Sequence, residues 1–286
     1  MTKTDGSATS ERADSLRPLS PRGVKQLAEF DGNAVRPRDA ATVVLLRDSP
    51  RGVETLFLRR QSTMAFAAGM HVFPGGGVQG SDTEPGIPWV GPSAQEWADI
   101  LGCPAELAGA LVVAAVRETF EETGVLFAGP DGGTVVADTS TADLREARAD
   151  LEAKRLSLRE FLLARGLVLR ADLLYAWAHW ITPAQEPRRF DTRFFVAALP
   201  DGQRVGAVPR EADRTLWLPV RAAADAARAG ELEMMAPTSH TCRSLDGLAE
   251  VAELAAAAVR PLVTIEPKVV EIAGRYYLDY PPPNEF

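Results

Sequence analysis

The sequence predicts a mixed α/β fold, and three observations predict it. Short β-branched and Leu-rich runs bounded by turn residues recur at 40–46, 53–58, 175–181 and 193–199, the pattern of half-buried strands. Residues 105–123 carry apolar side chains at helical spacing, with Val112, Val116 and Phe120 at i, i+4 and i+8, which gives that helix a face to bury. Helical stretches lie between the strand runs rather than after them, so both element types share one core.

Each element follows in order. Residues 1 to about 36 are rich in Ser, Thr, Arg, Asp and Pro. They hold too little apolar surface to offset ordering entropy and are expected to form a disordered tail. The runs at 40–46 and 53–58 flank Asp48-Ser49-Pro50-Arg51-Gly52 and read as strand, turn, strand. A short strand at 70–73 runs into Pro74-Gly75-Gly76-Gly77, four breakers that forbid regular structure and leave backbone amides and carbonyls free. Residues 82–92 read as loop. Ser93, with Glu96 three residues on, starts a short helix at 93–101 through a capping box. Pro104 opens the helix at 105–123 and Gly124 closes it. A highly charged helical stretch spans 141–165 and stops at Gly166. Beyond the later strands come a short strand at 216–218, a helix at 221–229 and an Ala- and Leu-rich helix at 240–259. A terminal hairpin at 262–272 and 275–280 turns at Ala273-Gly274. The expected organisation is the tail, then a single domain over 37–286 with insertions at about 83–104 and 128–170.

Composition narrows the function. The 286 residues are 46% apolar, enough for a real core, and carry a formal net charge of -8. An acidic chain gains no general attraction to nucleic acid or anionic membrane, so neither partner is expected. Two scattered cysteines, Cys103 and Cys242, have no metal-like spacing and suit a reducing compartment. The N-terminal residues lack a secretory pattern, and the longest apolar run, 107–116, is far short of a membrane span. A cytoplasmic location is the expectation.

The chemistry concentrates in one helix. Glu118, Glu121 and Glu122 occupy i, i+3 and i+4, which places them on one face about 5–6 Å apart. Like charges at that spacing destabilise a helix by roughly 0.2–0.5 kcal/mol per pair, so three together point to a cation between them. Hard divalent cations prefer oxygen ligands, and Mg²⁺ pairs one or two carboxylates with substrate phosphate oxygens. Arg117, four residues before Glu121, is placed to tie the carboxylates from the side. A solvated helix face would show the same charges. The Gly-rich turn before them and the β region after them favour the metal site.

The pattern R-E-x-x-E-E-x-G-V at 117–125 resembles the second half of the signature of the Nudix hydrolases, G-x5-E-x7-R-E-U-x-E-E-x-G-U. It matches at every fixed position, with Thr119 in the first apolar slot. In the first half, Gly76 takes the opening glycine and Asp82 stands six residues on in place of Glu. The arginine expected at position 90 stands at 117, 27 residues later. The box is therefore split by an insertion, which loop-closure entropy tolerates because it rises slowly with length. Two patches are similar to a branch of the family with an interrupted box. One is Phe73-Pro74-Gly75-Gly76-Gly77 preceded by Gly69. The other is Trp180-Ile181-Thr182-Pro183 followed by Arg188-Arg189-Phe190-Asp191-Thr192-Arg193-Phe194-Phe195. Some members of that branch hydrolyse coenzyme A and acyl-coenzyme A esters. The R-x-x-G element of coenzyme A diphosphatases is partial here, with Phe66 in the arginine position before Gly69.

The resemblance implies an α/β/α sandwich with a mixed sheet, a helical insertion inside the box, and a C-terminal helix plus hairpin. It implies an enzyme that uses Mg²⁺ or Mn²⁺ to hydrolyse a phosphoric anhydride in a nucleoside diphosphate linked to another group, coenzyme A or acyl-coenzyme A among them. The metal ligands would be Glu118, Glu121, Glu122 and the Gly76 carbonyl. Glu121, Glu122, Arg117 and Glu211 would be catalytic, with the base either Glu121 or Glu211. Arg188, Arg189 and Arg193 offer guanidinium forks to the substrate phosphates; pairing with Asp191 and Glu186 is the alternative for them. His179 and Trp180 read as a half-buried strand pair and Trp217 as core. Trp89 and Trp97 either wall a pocket that sets substrate choice or pin the insertion to the core. The alternatives are a pyrophosphohydrolase for ADP-ribose, dinucleotides or nucleoside triphosphates, and a non-catalytic nucleotide sensor of the same fold. Whether the chain works alone or as a homodimer is left open.

Overall fold

The strand runs of the sequence assemble into an eight-stranded mixed sheet whose two faces are each covered by helices. The computed structural model describes residues 16–61, 69–206 and 212–283. Along the chain come β1 (Leu16–Pro18), α1 (Pro21–Glu29), β2 (Arg38–Arg47), β3 (Glu54–Arg60), β4 (His71–Val72) and β5 (Gly75–Gly77). A 3-10 turn (Gly80–Thr83), β6 (Trp89–Val90), α2 (Ala94–Leu101), α3 (Ala105–Thr123), β7 (Ala128–Gly129), α4 (Ala142–Glu152) and α5 (Leu158–Arg165) follow. The next elements are β8 (Val168–Arg170), β9 (Tyr175–Ile181), β10 (Phe190–Ala198), β11 (Ala212–Pro219), α6 (Val220–Ala229) and α7 (Ala236–Leu245). The chain closes with α8 (Leu254–Ala257), β12 (Thr264–Ile265), β13 (Lys268–Ile272) and β14 (Arg275–Asp279).

The main sheet runs β11-β3-β2-β10-β9-β12, with β4 on β3 and β5 on β2. The central pair β2–β10 and the edge pair β9–β12 are parallel, and the other pairs are antiparallel. Alternation along β2 sets the two layers. Ala41, Val43 and Leu45 point to one face, where Leu111, Val112, Val116 and Phe120 of α3 pack with Trp97 of α2 and Phe161 of α5. Val44 and Leu46 point to the other, against Val220 and Ala223 of α6 and Cys242 and Leu245 of α7. A period of two in the strand and 3.6 in the helix is what lets each element bury one side. Phe120 is wholly buried and stacks on Phe161 with ring centroids 5.4 Å apart; burying such a ring contributes about 1.5–3 kcal/mol. The expected apolar face of the carboxylate helix is therefore the one that docks. Among the described residues no single helix is long and apolar enough to cross a membrane.

The interrupted segments fold onto that same face. β6, from the insertion inside the box, pairs with β8, and β7 pairs with the other side of β8, giving a small three-stranded sheet. α2 begins at the Ser93–Glu96 capping box and ends at Gly102 in the left-handed conformation. Trp97 is 2% exposed and meets Phe195 edge-on at 5.7 Å, so it pins the insertion to the core, whereas Trp89 is only partly buried.

Several expectations about the elements are corrected. The breakers at 74–77 do not forbid regular structure, since Gly75–Gly77 pairs antiparallel with β2, and 82–92 is not all loop, since Trp89–Val90 pairs with β8. The disordered tail does not extend to residue 36. Leu16–Pro18 pairs antiparallel with β14, which also pairs with β13. Ser20 caps α1 by accepting from the Gly23 N–H, and Pro21 opens the helix. Low apolar content hid a strand that gains its stability from backbone pairing with a distant partner. The stretch 141–165 is two helices, because Lys154 turns left-handed (φ 57°) and Ser157 with Glu160 starts a new capping box. The long helix at 240–259 is α7 and α8, separated beyond Asp246 and Gly247. The terminal hairpin turns at Ala273-Gly274, both left-handed.

Candidate active site

The site is built from one turn, one 3-10 turn and one helix. β5 lies antiparallel to β2, with Gly76 opposite Ala41, which fixes the Gly-rich turn against the middle of the sheet. α3 crosses above it. The Glu118 carboxylate lies over Gly76, where a Cβ would stand 2.4 Å from Oε1, so a side chain there would displace that carboxylate. Glu122 reaches the same turn, its Oε2 accepting from the Gly75 N–H at 2.8 Å.

Arg117 organises the rest. It is 2% exposed, and each of its five N–H groups has an acceptor. Nε and Nη2 grip Asp82 at 2.8 and 2.9 Å, a two-point contact from the 3-10 turn. Nη1 donates to Glu118 at 2.8 Å and Glu121 at 3.2 Å, and Nη2 also donates to the Gly77 carbonyl at 3.1 Å. Asp82, which stands where the box carries Glu, closes its carboxylate on the arginine from the far side of the insertion. Its shorter side chain is placed by its own turn, where Oδ2 also accepts from the Gln79 N–H. Thr119, in the apolar slot, is buried with its hydroxyl donating to the Ala115 carbonyl at 2.7 Å, so the polar atom is satisfied inside its own helix.

Burial drives the electrostatics. Desolvation pushes the Glu121 carboxyl up to about 7, against the opposing pull of Arg117 and with a further push from Glu118. Burial alone would lower the Arg117 value, but the Asp82 hydrogen bond and the three surrounding carboxylates hold it well above the ordinary arginine range. The sign for stability follows. A folded state that holds the Glu121 proton more tightly than the unfolded chain has its largest contribution below pH 4.5 and loses it as pH rises through about 7. In the presence of a chelator, the Tm of the parent protein is expected to fall relative to Glu121→Gln from pH 4.5 to about 7. Parallel Tm curves for the two proteins across that window would show that Glu121 titrates normally.

Among the described residues no three His, Cys, Asp or Glu side chains stand close enough to hold a metal ion as arranged. Glu118 and Glu121 each turn an oxygen to Arg117, and Glu122 turns to Gly75. The donor set still fits a hard divalent cation: three carboxylates on one helix face, above a turn where a missing Cβ leaves a cradle for the Glu118 carboxylate.

Two of the three expected substrate arginines have partners within the chain. Arg189 is buried and donates to the Thr182 and Val35 carbonyls at 2.9 Å each, and its Nη2 pairs with Glu266. Arg193 is buried, pairs with Asp191 and donates to the Leu101 carbonyl at 3.4 Å. Arg188 is the exposed member. His179 is held between Asp191 at 2.6 Å and the Thr264 hydroxyl at 2.7 Å, and Trp180 packs against His240 and Tyr280. Trp217 is only partly buried, with the Arg47 guanidinium 4.2 Å over its ring. Glu211 and Phe66 lie outside the described residues.

One contact was not read from the sequence. Arg148 of α4 donates from Nε to the Glu121 carbonyl at 2.8 Å. A signal was present: Leu144, Ala147 and Leu151 form the buried stripe of α4, and Arg148 sits at i+4 within it.

Comparison with known proteins agrees with this geometry. A solved structure, a NUDIX hydrolase from Alicyclobacillus acidocaldarius, covers 80% of this chain and 99% of its own at 31% identity and a TM-score of 0.63, so fold and site together define a Nudix hydrolase. The family described as the NUDT19 Nudix domain matches residues 90–243, more than half of the chain, and the chain belongs to that family. Among curated relatives, a putative nudix hydrolase 7 of Caenorhabditis elegans is 30% identical over 200 residues, 70% of this chain and 57% of that protein. An acyl-coenzyme A diphosphatase NUDT19 of Gallus gallus is 31% identical, over 57% of this chain and 55% of that protein. The chain thus spans little more than half the length of these relatives.

Proposed function

We propose that this chain hydrolyses the diphosphate linkage of a nucleoside diphosphate joined to another group, with coenzyme A or an acyl-coenzyme A as the substrate class and Mg²⁺ or Mn²⁺ as the cation. The observation that carries this is the Arg117 clamp, which fastens Glu118 and Glu121 beside Asp82 while Glu122 reaches the Gly75–Gly77 turn. The substrate class is supported by the relatives named acyl-coenzyme A diphosphatase. Glu118, Glu122 and the Gly76 carbonyl would hold the cation, which when bound neutralises phosphate oxygens and lowers the pKa of water. Arg117 holds the carboxylates in place without itself moving a proton. Glu121, poised near 7 by burial, is suited to take a proton from water as that water attacks phosphorus, since a general base works best near the operating pH. Glu211 is the other candidate for that step. Arg188 is the exposed arginine able to meet substrate phosphate.

The test is a substrate panel with purified protein and Mg²⁺ or Mn²⁺: coenzyme A, an acyl-coenzyme A, ADP-ribose, NADH and nucleoside triphosphates. The highest kcat/KM is expected for the coenzyme A class, with turnover abolished by chelator. A preference for ADP-ribose, dinucleotides or triphosphates would overturn the substrate assignment. Tight binding of a nucleotide with no turnover of any compound would make the chain a sensor.

A further inference from the structure

We propose that Arg148, which reaches in from α4, is a positioning residue for the carboxylate helix and sets how firmly the last turn of that helix presents Glu121 and Glu122. The inference rests on the reading of α3 as the metal-binding element. The final carbonyls of any helix lack intrahelical donors. In α3 the cap is closed by the Gly124 N–H, which donates to the Phe120 carbonyl, with Gly124 left-handed at φ 75°. The next N–H, of Val125, turns away to the Thr123 hydroxyl at 3.0 Å. The Glu121 carbonyl is taken instead by Arg148 Nε at 2.8 Å, and the Thr123 carbonyl by the Gly206 N–H at 2.7 Å.

The guanidinium occupies a slot shaped for it. A Cβ at Gly124 would lie 3.3 Å from Nη1, and one at Gly206 would lie 3.0 Å from it. Two backbones without side chains therefore flank the arginine head while Nε reads the helix end. Its charge is felt by Glu121, Glu122 and Glu152, and a cation at a helix C-terminus also opposes the negative end of the helix dipole. Asp82 and Arg148 thus hold α3 from two sides, one through the Arg117 side chain and the other through the backbone of Glu121. Groups that orient the groups around a metal alter affinity or turnover by about 10–100-fold when removed.

The full chain is tested as Arg148→Ala and Arg148→Lys, with Glu122→Gln as a reference. The measurements are kcat and KM for coenzyme A with Mn²⁺, Mn²⁺ affinity by titration in the absence of substrate, Tm, and recovery on adding millimolar guanidinium ion. For Arg148→Ala, kcat and Mn²⁺ affinity are each expected to fall by about 10–100-fold, with KM within about twofold of the parent protein. Guanidinium ion is expected to restore part of both by entering the slot between the two glycines, and Lys is expected to fall between Arg and Ala. Unchanged kcat and Mn²⁺ affinity in the Ala variant would overturn the inference. So would a loss of both that tracks unfolding, with no recovery by guanidinium ion and no advantage of Lys over Ala. If the parent protein does not turn over coenzyme A, the proposed substrate fails. Mn²⁺ affinity and its rescue still decide the role of Arg148.

Discussion

Glu122→Gln is expected to lower kcat for diphosphate hydrolysis by at least about 100-fold, the loss that follows removal of one strong electrostatic contributor, while leaving the fold intact. Glutamine keeps the length of the side chain and retains a carbonyl oxygen able to accept from the Gly75 N–H, the contact now made at 2.8 Å. What it removes is the charge. Glu121→Gln is expected to lose as much, because it removes a carboxyl that burial has moved near neutrality. Both variants should retain the Tm of the parent protein to within a few degrees at neutral pH. Near-full turnover in either, with a metal titrated to saturation, would mean that the chemistry belongs to a different face of α3.

The second large effect is on stability. Asp82→Ala is expected to destabilise the fold by about 2–6 kcal/mol, because it leaves two buried N–H groups of the Arg117 guanidinium without an acceptor, each costing roughly 1–3 kcal/mol. Arg117 is 2% exposed, and two of its five hydrogen bonds go to Asp82. Neither solvent nor a neighbouring acid is placed to replace them, since Glu118 and Glu121 already share Nη1. The same change frees the Gln79 N–H that Asp82 accepts. Urea unfolding of the two proteins measures the difference. A loss below about 1 kcal/mol, the range of an exposed pair, would show that Asp82 only brushes the arginine.

These two predictions separate what the sequence revealed from what it concealed. Glu118, Glu121 and Glu122 were legible as one face, because i, i+3 and i+4 spacing on a helix ended by Gly124 brings them together. Their buried counterface, Val112, Val116 and Phe120, was legible for the same reason of period. Gly76 was legible as the opening glycine of the box, although the carboxylate that lies against it belongs to Glu118, 42 positions away. Asp82 was harder. Its partner lies 35 positions on, and no local rule says which carboxylate will cross an insertion to meet an arginine. Arg189 and Arg193 were read with two alternatives, substrate phosphate or pairing within the chain, and the structure gives both of them partners in the chain. Asp191, two positions from Arg193, could be read as a partner, but the carbonyls and acid from residues 35, 101, 182 and 266 that also occupy the pair come together only through tertiary contact. The helix over 141–165 divides because a positive φ at Lys154 is a property of the folded turn and leaves no mark on a charge pattern.

The pairing of β1 with β14 has a consequence for how the protein comes into being. Leu16 finds its partner at Asp279 and Pro18 at Tyr277, so this early strand waits for about 260 more residues to leave the ribosome. At ordinary translation rates of roughly 5–20 residues per second, that delay is on the order of 15–50 s. Arg17 waits for the Met234 carbonyl, 217 residues on. During the interval the nascent chain carries an unpaired strand, the kind of edge that invites pairing with another chain. Its exposure is limited because only three residues pair and the helix that follows is polar and mostly solvent-facing. Pairing of Leu16–Pro18 is therefore a late step, and a ribosome-stalled intermediate lacking residues 268–279 would hold most of the main sheet but not the seam between β1 and β14.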